Sequence, residues 1–190
     1  YFSKERKLGF KRKKQSYMKT IVVKEGSRDI INEAFRVLRS NMDFMAGKDK
    51  GQNVFVLTSF NPGSGKSFLT MNIAMSFAIK KKRILVIDGD LRHGSVSSYV
   101  DSPRIGLSDY LGNRVENWKE IIVADKKYDN LHILPIGTVP PNPTELLEDG
   151  KLATLIGALR GEYDYIFIDC PPIDIVADAQ IIEKLADRTI

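Results

Sequence analysis

The sequence predicts an α/β fold with a mainly parallel central sheet flanked by helices. Two observations carry this expectation. The runs NVFVLTSF (53–60), KRILVIDGD (82–90) and YDYIFIDCPP (163–172) are continuously apolar and β-branched rather than alternating, the pattern of strands covered on both faces. Stretches of helical periodicity lie between them, and such alternation favours parallel strands whose ends, and any site they build, gather at one edge.

Taken in chain order, residues 27–45 (SRDIINEAFRVLRSNMDFM) predict a helix with an apolar stripe of Ile31, Ala34, Phe35, Leu38 and Met42. The first strand (53–60) leads through a glycine-rich turn into SFLTMNIAMSFAIKKK (67–82). That segment is apolar nearly all round, so it reads as a buried helix, and its terminal cations suit the C-terminal dipole. The second strand is 82–90, and the shorter NLHILPIG (130–137) is a further strand. Residues 144–161 predict a helix broken near Gly150, preceded by rigid turns at Pro140, Pro141 and Pro143, with Thr144 as N-cap and Glu145 in the first turn. Tyr163 and Tyr165 belong to the approach and body of strand 163–172; residues 178–187 are helical, and Arg188–Ile190 begin another strand, so the domain is expected to be cut short there.

Composition bounds the rest. A chain of 190 residues can bury one good core. It has no apolar run long enough to span a bilayer. The single cysteine, Cys170, excludes an intramolecular disulfide framework and fits a reducing compartment. The net charge of +5 is unevenly spread: residues 1–20 carry eight basic side chains against Glu5, which leaves −2 for residues 21–190. We therefore expect a basic leader (1–20), either solvated or touching an anionic membrane surface, and a folded domain (21–190). No basic stripe continues into the domain, so no nucleic acid is expected.

The turn NPGSGKS between strand and helix has the context of a phosphate-binding P-loop. Gly63 and Gly65 let backbone N–H groups turn inward, and the helix N-terminus adds partial positive charge. Lys66 reaches for the β- and γ-phosphates, and the Ser67 hydroxyl is suited to Mg²⁺. Pro62, Ser64 and Phe68 complete the nucleotide cradle. Phe60 stands where the common pattern has glycine. Three aspartates support the assignment: Asp88 and Asp90 end one apolar strand and Asp169 another. Buried strand-end carboxylates are costly unless a cation or donors meet them, and Mg²⁺ with a triphosphate supplies the cation. The architecture expected is therefore of the P-loop NTPase type, with ATP and Mg²⁺ as ligands.

These motifs resemble those of the bacterial tyrosine kinases. ILVIDGDLR matches the family's Walker A′ pattern, IFIDCPP its Walker B pattern, EAFRVLR its E-x-x-R-x-x-R helix (Glu33, Arg36, Arg39), and GTVPPNPTELL its proline-rich stretch, in the family's order over roughly residues 28–188. The resemblance implies an ATP-dependent, autophosphorylating protein-tyrosine kinase at the cytoplasmic side of the plasma membrane. Such a kinase acts with a membrane-embedded chain-length regulator, fused or separate, in polysaccharide synthesis or export. It also implies a homo-oligomeric ring with contacts at Glu33, Arg36 and Arg39, and a C-terminal tyrosine cluster offered to the neighbouring subunit. The seven tyrosines present are scattered and form no such cluster.

Tyrosine is a poor nucleophile at neutral pH, so a carboxylate must take its proton. Asp88 or Asp90 is the candidate, and the remaining acidic groups serve the metal with Ser67, Asp88 and Asp169 as its expected set. Lys66 and the loop amides stabilise charge on the transferring group. Arg92 binds phosphate, orients Asp90, or forms a surface ion pair. Cys170 reads as a packed strand-end thiol, and His93 and His132 lack zinc-ligand spacing. Two other readings remain open. One is a division-site or partition ATPase, although Asn61 stands where that group carries an extra lysine. The other is a non-catalytic, nucleotide-gated activator of a membrane exporter.

Overall fold

In a computed structural model, residues 20–46, 51–173 and 177–190 are described; the basic leader, apart from Thr20, lies outside them. The helices are α1 (Ile30–Ala46), α2 (Lys66–Ala78), α3 (Leu107–Leu111), α4 (Pro143–Glu148), α5 (Lys151–Leu159) and α6 (Ala177–Glu183). The strands are β1 (Val54–Leu57), β2 (Ile84–Asp88), β3 (Val123–Ala124), β4 (Leu131–Leu134), β5 (Tyr165–Asp169) and β6 (Arg188–Thr189). They form one sheet in the order β3-β4-β2-β5-β1-β6. All pairings are parallel except the short antiparallel edge between β3 and β4.

The continuous apolar runs are explained by a layer on each face. Val54, Val56, Leu85, Ile87, Ile166 and Ile168 point to the side covered by α3, α4, α5 and α6. Their alternates Phe55, Leu57, Ile84, Val86, Tyr165 and Phe167 meet α1 and α2 on the other. On that second face Phe77 packs on Tyr165 at 4.3 Å and on Phe167 at 5.6 Å between ring centroids. Large side chains buried in this way stabilise the fold by roughly 1.5–3 kcal/mol each.

Three expectations need correction. First, of the expected stripe of α1 Phe35 and Met42 are buried and Leu38 is partly buried against the core, but Ile31 and Ala34 face solvent, and Asn32 and Ala46 are buried in addition. The helix is rotated because Asn32 is needed inside, where its Oδ1 accepts from Lys24 N at 2.8 Å. That rotation turns the Arg39 guanidinium toward α2, where it donates to the carbonyl and hydroxyl of Ser76. Second, α2 ends at Ala78, and Lys80–Lys82 lie beyond it because Lys81 adopts a left-handed φ of 61°. Third, the N-cap of α4 is Asn142, with Pro143 in the first turn, and the Thr144 hydroxyl is spent elsewhere, on Asp178 Oδ1 at 2.5 Å. The break at Gly150 (φ 80°) and the start of β6 after residue 187 lie where the sequence puts them.

Candidate active site

β1, β2 and β5 all end at the same edge of the sheet. Register pairs Leu57 with Asp169 and Asp169 with Asp88, so the strand-end carboxylates are nearest neighbours on adjacent strands. The P-loop leaves β1 at this edge. Gly63 (φ 71°) and Gly65 (φ 94°) hold left-handed backbone with open space where a Cβ would stand, a concavity that suits close approach of an anion to backbone N–H groups. No side chain caps α2 at Gly65, so the first amides of that helix face the loop.

Asp169 is the hub. Lys66 Nζ lies 3.2 Å from its Oδ1, Ser67 donates to Oδ2 at 2.6 Å, and Thr70 Oγ1 lies 3.2 Å from Oδ1. Burial pushes this carboxyl up from the ordinary aspartate range, against the Lys66 ammonium and the hydroxyls that hold it down. Thr70 was not singled out in the sequence; its only signal is its position three residues after Ser67, one turn along the same helix face. Asp88 is fully buried. Its Oδ2 accepts two bonds from Ser97, and its Oδ1 has no partner. Desolvation raises its pKa to about 7, with smaller upward pushes from Asp169 and Asp90.

Asp90 lies at the mouth. Its Oδ1 accepts from the backbone N–H groups of Arg92 and His93 at 3.2 Å, and the His93 ring Nδ1 lies 3.0 Å from Oδ2. His93 therefore belongs to the site, although metal-ligand spacing alone gave it no role. Arg92 pairs through Nε with buried Asp178 Oδ2 at 3.1 Å and approaches the Thr144 hydroxyl, an ion pair between the A′ turn and the start of α6. Cys170 is a buried strand-end thiol pushed well up by burial. His132 lies near the start of β4, with Nδ1 2.8 Å from Tyr163 OH.

These elements enclose a cleft of about 720 Å³. Pro62, Gly63, Ser64, Gly65, Lys66, Ser67, Phe68 and Arg92 all line it, together with Asp90, His93 and Tyr99. Asn142 and Pro143 do not line it, and Phe60 projects outward, 70% exposed. Among the described residues no cluster of three or more His, Cys, Asp or Glu side chains forms a ready-made metal cage. Mg²⁺ needs none, since it takes one or two carboxylates together with phosphate oxygens and water. The unpartnered, buried Oδ1 of Asp88 beside Asp169 and Ser67 fits such an ion.

Residues 52–184 match the AAA domain family. The chain is 35% identical over 178 residues to the tyrosine-protein kinase CpsD of Streptococcus pneumoniae, covering 91% of this chain and 76% of that protein. The chain belongs to the bacterial tyrosine-protein kinases. Tyrosine-protein kinase Wzc of Salmonella typhimurium is 36% identical over 186 residues, but this chain spans only 25% of its length. The kinase domain of Escherichia coli tyrosine kinase ETK superposes with a TM-score of 0.82 at 28% identity, over 90% of this chain and 66% of that one. The septum site-determining protein MinD of Pyrococcus horikoshii, complexed with Mg-ADP, is a more distant neighbour: TM-score 0.62 at 27% identity, over 72% of this kinase and 56% of MinD. No helix among the described residues is long and apolar enough to cross a membrane.

Proposed function

We propose that this domain transfers the γ-phosphoryl group of ATP to tyrosine hydroxyls of proteins, its own copies included, in the control of polysaccharide synthesis or export. The observation that carries the reading is the convergence of Lys66, Ser67, Asp88 and Asp169 on one sheet edge, beside an open loop of backbone amides. The loop and Lys66 hold the triphosphate and stabilise charge on the transferring group. Mg²⁺, when bound, neutralises phosphate charge, and Ser67, Asp88 and Asp169 are the residues to hold it. Asp90, which lines the cleft at its mouth, takes the phenol proton as the tyrosine oxygen bonds to phosphorus and the bond to ADP breaks. Arg92, tied to Asp178, holds the turn that carries Asp90.

The oligomer is part of the same proposal. With Arg39 committed to Ser76, and Arg36 bonded to Glu33 at 2.6 Å and to the Ser27 carbonyl, the exposed ridge Ile30, Val37 and Phe44 supplies apolar area for a contact between copies. Ile30 and Phe44 are 89% and 88% exposed, and a second copy covering them would remove apolar surface from water. A membrane-embedded chain-length regulator and an anionic membrane surface met by residues 1–20 are the further partners in this reading.

Incubation with ATP, MgCl₂ and a tyrosine-containing peptide, followed by phosphotyrosine detection, tests the reaction. Phosphotyrosine that disappears in Lys66→Ala supports it. Phosphate release without phosphotyrosine assigns an ATPase, and neither product assigns a nucleotide-gated activator.

A further inference from the structure

Ser97 opens the short 3-10 turn that follows β2 and is 2% exposed. Its backbone N–H donates to Asp88 Oδ2 at 2.6 Å, and its hydroxyl donates to the same oxygen at 2.7 Å. The hydroxyl oxygen accepts from the N–H of Ile136, just past β4, at 2.8 Å. A serine hydroxyl has one proton. With Ile136 N–H occupying the acceptor side, that proton is directed to Asp88. The chain Ile136 N–H, Ser97 O–H, Asp88 Oδ2 therefore has a fixed polarity, and successive bonds in such a chain reinforce one another. Among the described residues, the hydrogen bonds to the Asp88 carboxylate fall on one oxygen, while Oδ1 is buried and unpartnered.

We infer that Ser97 is a positioning residue of this kinase: it pins Asp88 by Oδ2 so that Oδ1 is presented to the metal that accompanies the nucleotide. The inference rests on the reading above, in which Asp88 serves that metal. Outer partners of metal-binding carboxylates are worth about 10–100-fold in metal affinity or activity, although Ser97 itself touches neither metal nor substrate in this account.

The test uses the full chain with Mn²⁺ as the probe, its binding followed by electron paramagnetic resonance in the presence of ADP. Ser97→Ala is expected to weaken Mn²⁺ binding by about 10–100-fold, with ADP binding in metal-free buffer unchanged. In an Asp88→Asn background the same substitution is expected to have no further effect, since residues acting through one another are not additive. Ser97→Cys keeps the backbone N–H and a side chain of the same shape, though larger, with a weak S–H donor, so it is expected to fall between wild type and alanine; it also decides the matter if the alanine variant does not fold. Wild-type Mn²⁺ affinity in the variants, or the same added loss without Asp88, overturns the inference. A wild-type protein that binds Mn–ADP yet forms no phosphotyrosine overturns the kinase reading instead and leaves these affinities to be judged alone.

Discussion

Asp88→Asn replaces one carboxylate oxygen at the end of β2 by an amide nitrogen of nearly the same size, and it removes the possibility of ionising. Burial lifts the Asp88 pKa from 3.8 to about 7. Between these values the folded protein keeps a proton that the unfolded chain has released. Stability therefore falls as pH rises from about 4 to about 7 and is level above that. At 1.36 kcal/mol per pH unit, the gap of about three units corresponds to about 4 kcal/mol, an upper figure for a group this buried. The asparagine variant has no such slope, and its amide carbonyl oxygen can still accept from Ser97. Urea unfolding of both proteins, free of nucleotide and metal, should give similar stabilities near pH 4 and a variant more stable by about 2–4 kcal/mol near pH 8. The same variant should lose phosphotyrosine formation. Parallel pH curves, or a variant less stable than wild type at the alkaline end, would refute the assignment of Asp88 as a buried, proton-holding carboxyl.

Two further outcomes concern the frame around the site. Arg160 grips Asp187 through both guanidinium arms at 2.6 and 3.0 Å, and Asp187 in turn accepts from Val54 N at 2.8 Å. Arg160→Ala should cost about 1.5–3 kcal/mol in urea unfolding while nucleotide affinity at the opposite edge stays unchanged. At Gly137 (φ 75°) a Cβ would run into the Asp109 carboxylate and the backbone of Gly106. Gly137→Ala should therefore destabilise by about 2–4 kcal/mol in the same assay, and a change below about 0.5 kcal/mol would disprove the close approach.

The strands were legible because their chemistry admits one solution. ILVID and YIFID are buried at every position, and a continuous β-branched or aromatic run has no other stable place in an α/β fold. α1 was half legible: Phe35 and Met42 of the expected stripe are buried and Leu38 packs on the core, whereas Ile31 and Ala34 are exposed. The difference turns on Asn32, whose place inside depends on the Lys24 N–H arriving from outside the helix. The phosphate loop and the strand-end aspartates carried their own local signatures. Ser97, His93 and the Thr144–Asp178 contact did not. Ser97 matters through Asp88 and Ile136, and Thr144 pairs with a residue 34 positions away. The sequence allows Arg92 three roles, and its geometry supplies the ion pair with Asp178.

The segment before α1 is sewn to α2. Val22 N and Val23 N both donate to the Asn72 side chain at 2.7 and 3.2 Å, and Asn72 Nδ2 returns a bond to the Thr20 carbonyl at 3.4 Å. Asn72 lies six residues from Lys66, about 9 Å along a helix. A pull on the chain near residue 20 thus acts on the rod whose tip is the P-loop lysine, and Arg39 grips the same rod near its far end at Ser76. Tension at the amino-terminal side and nucleotide occupancy consequently share one mechanical element.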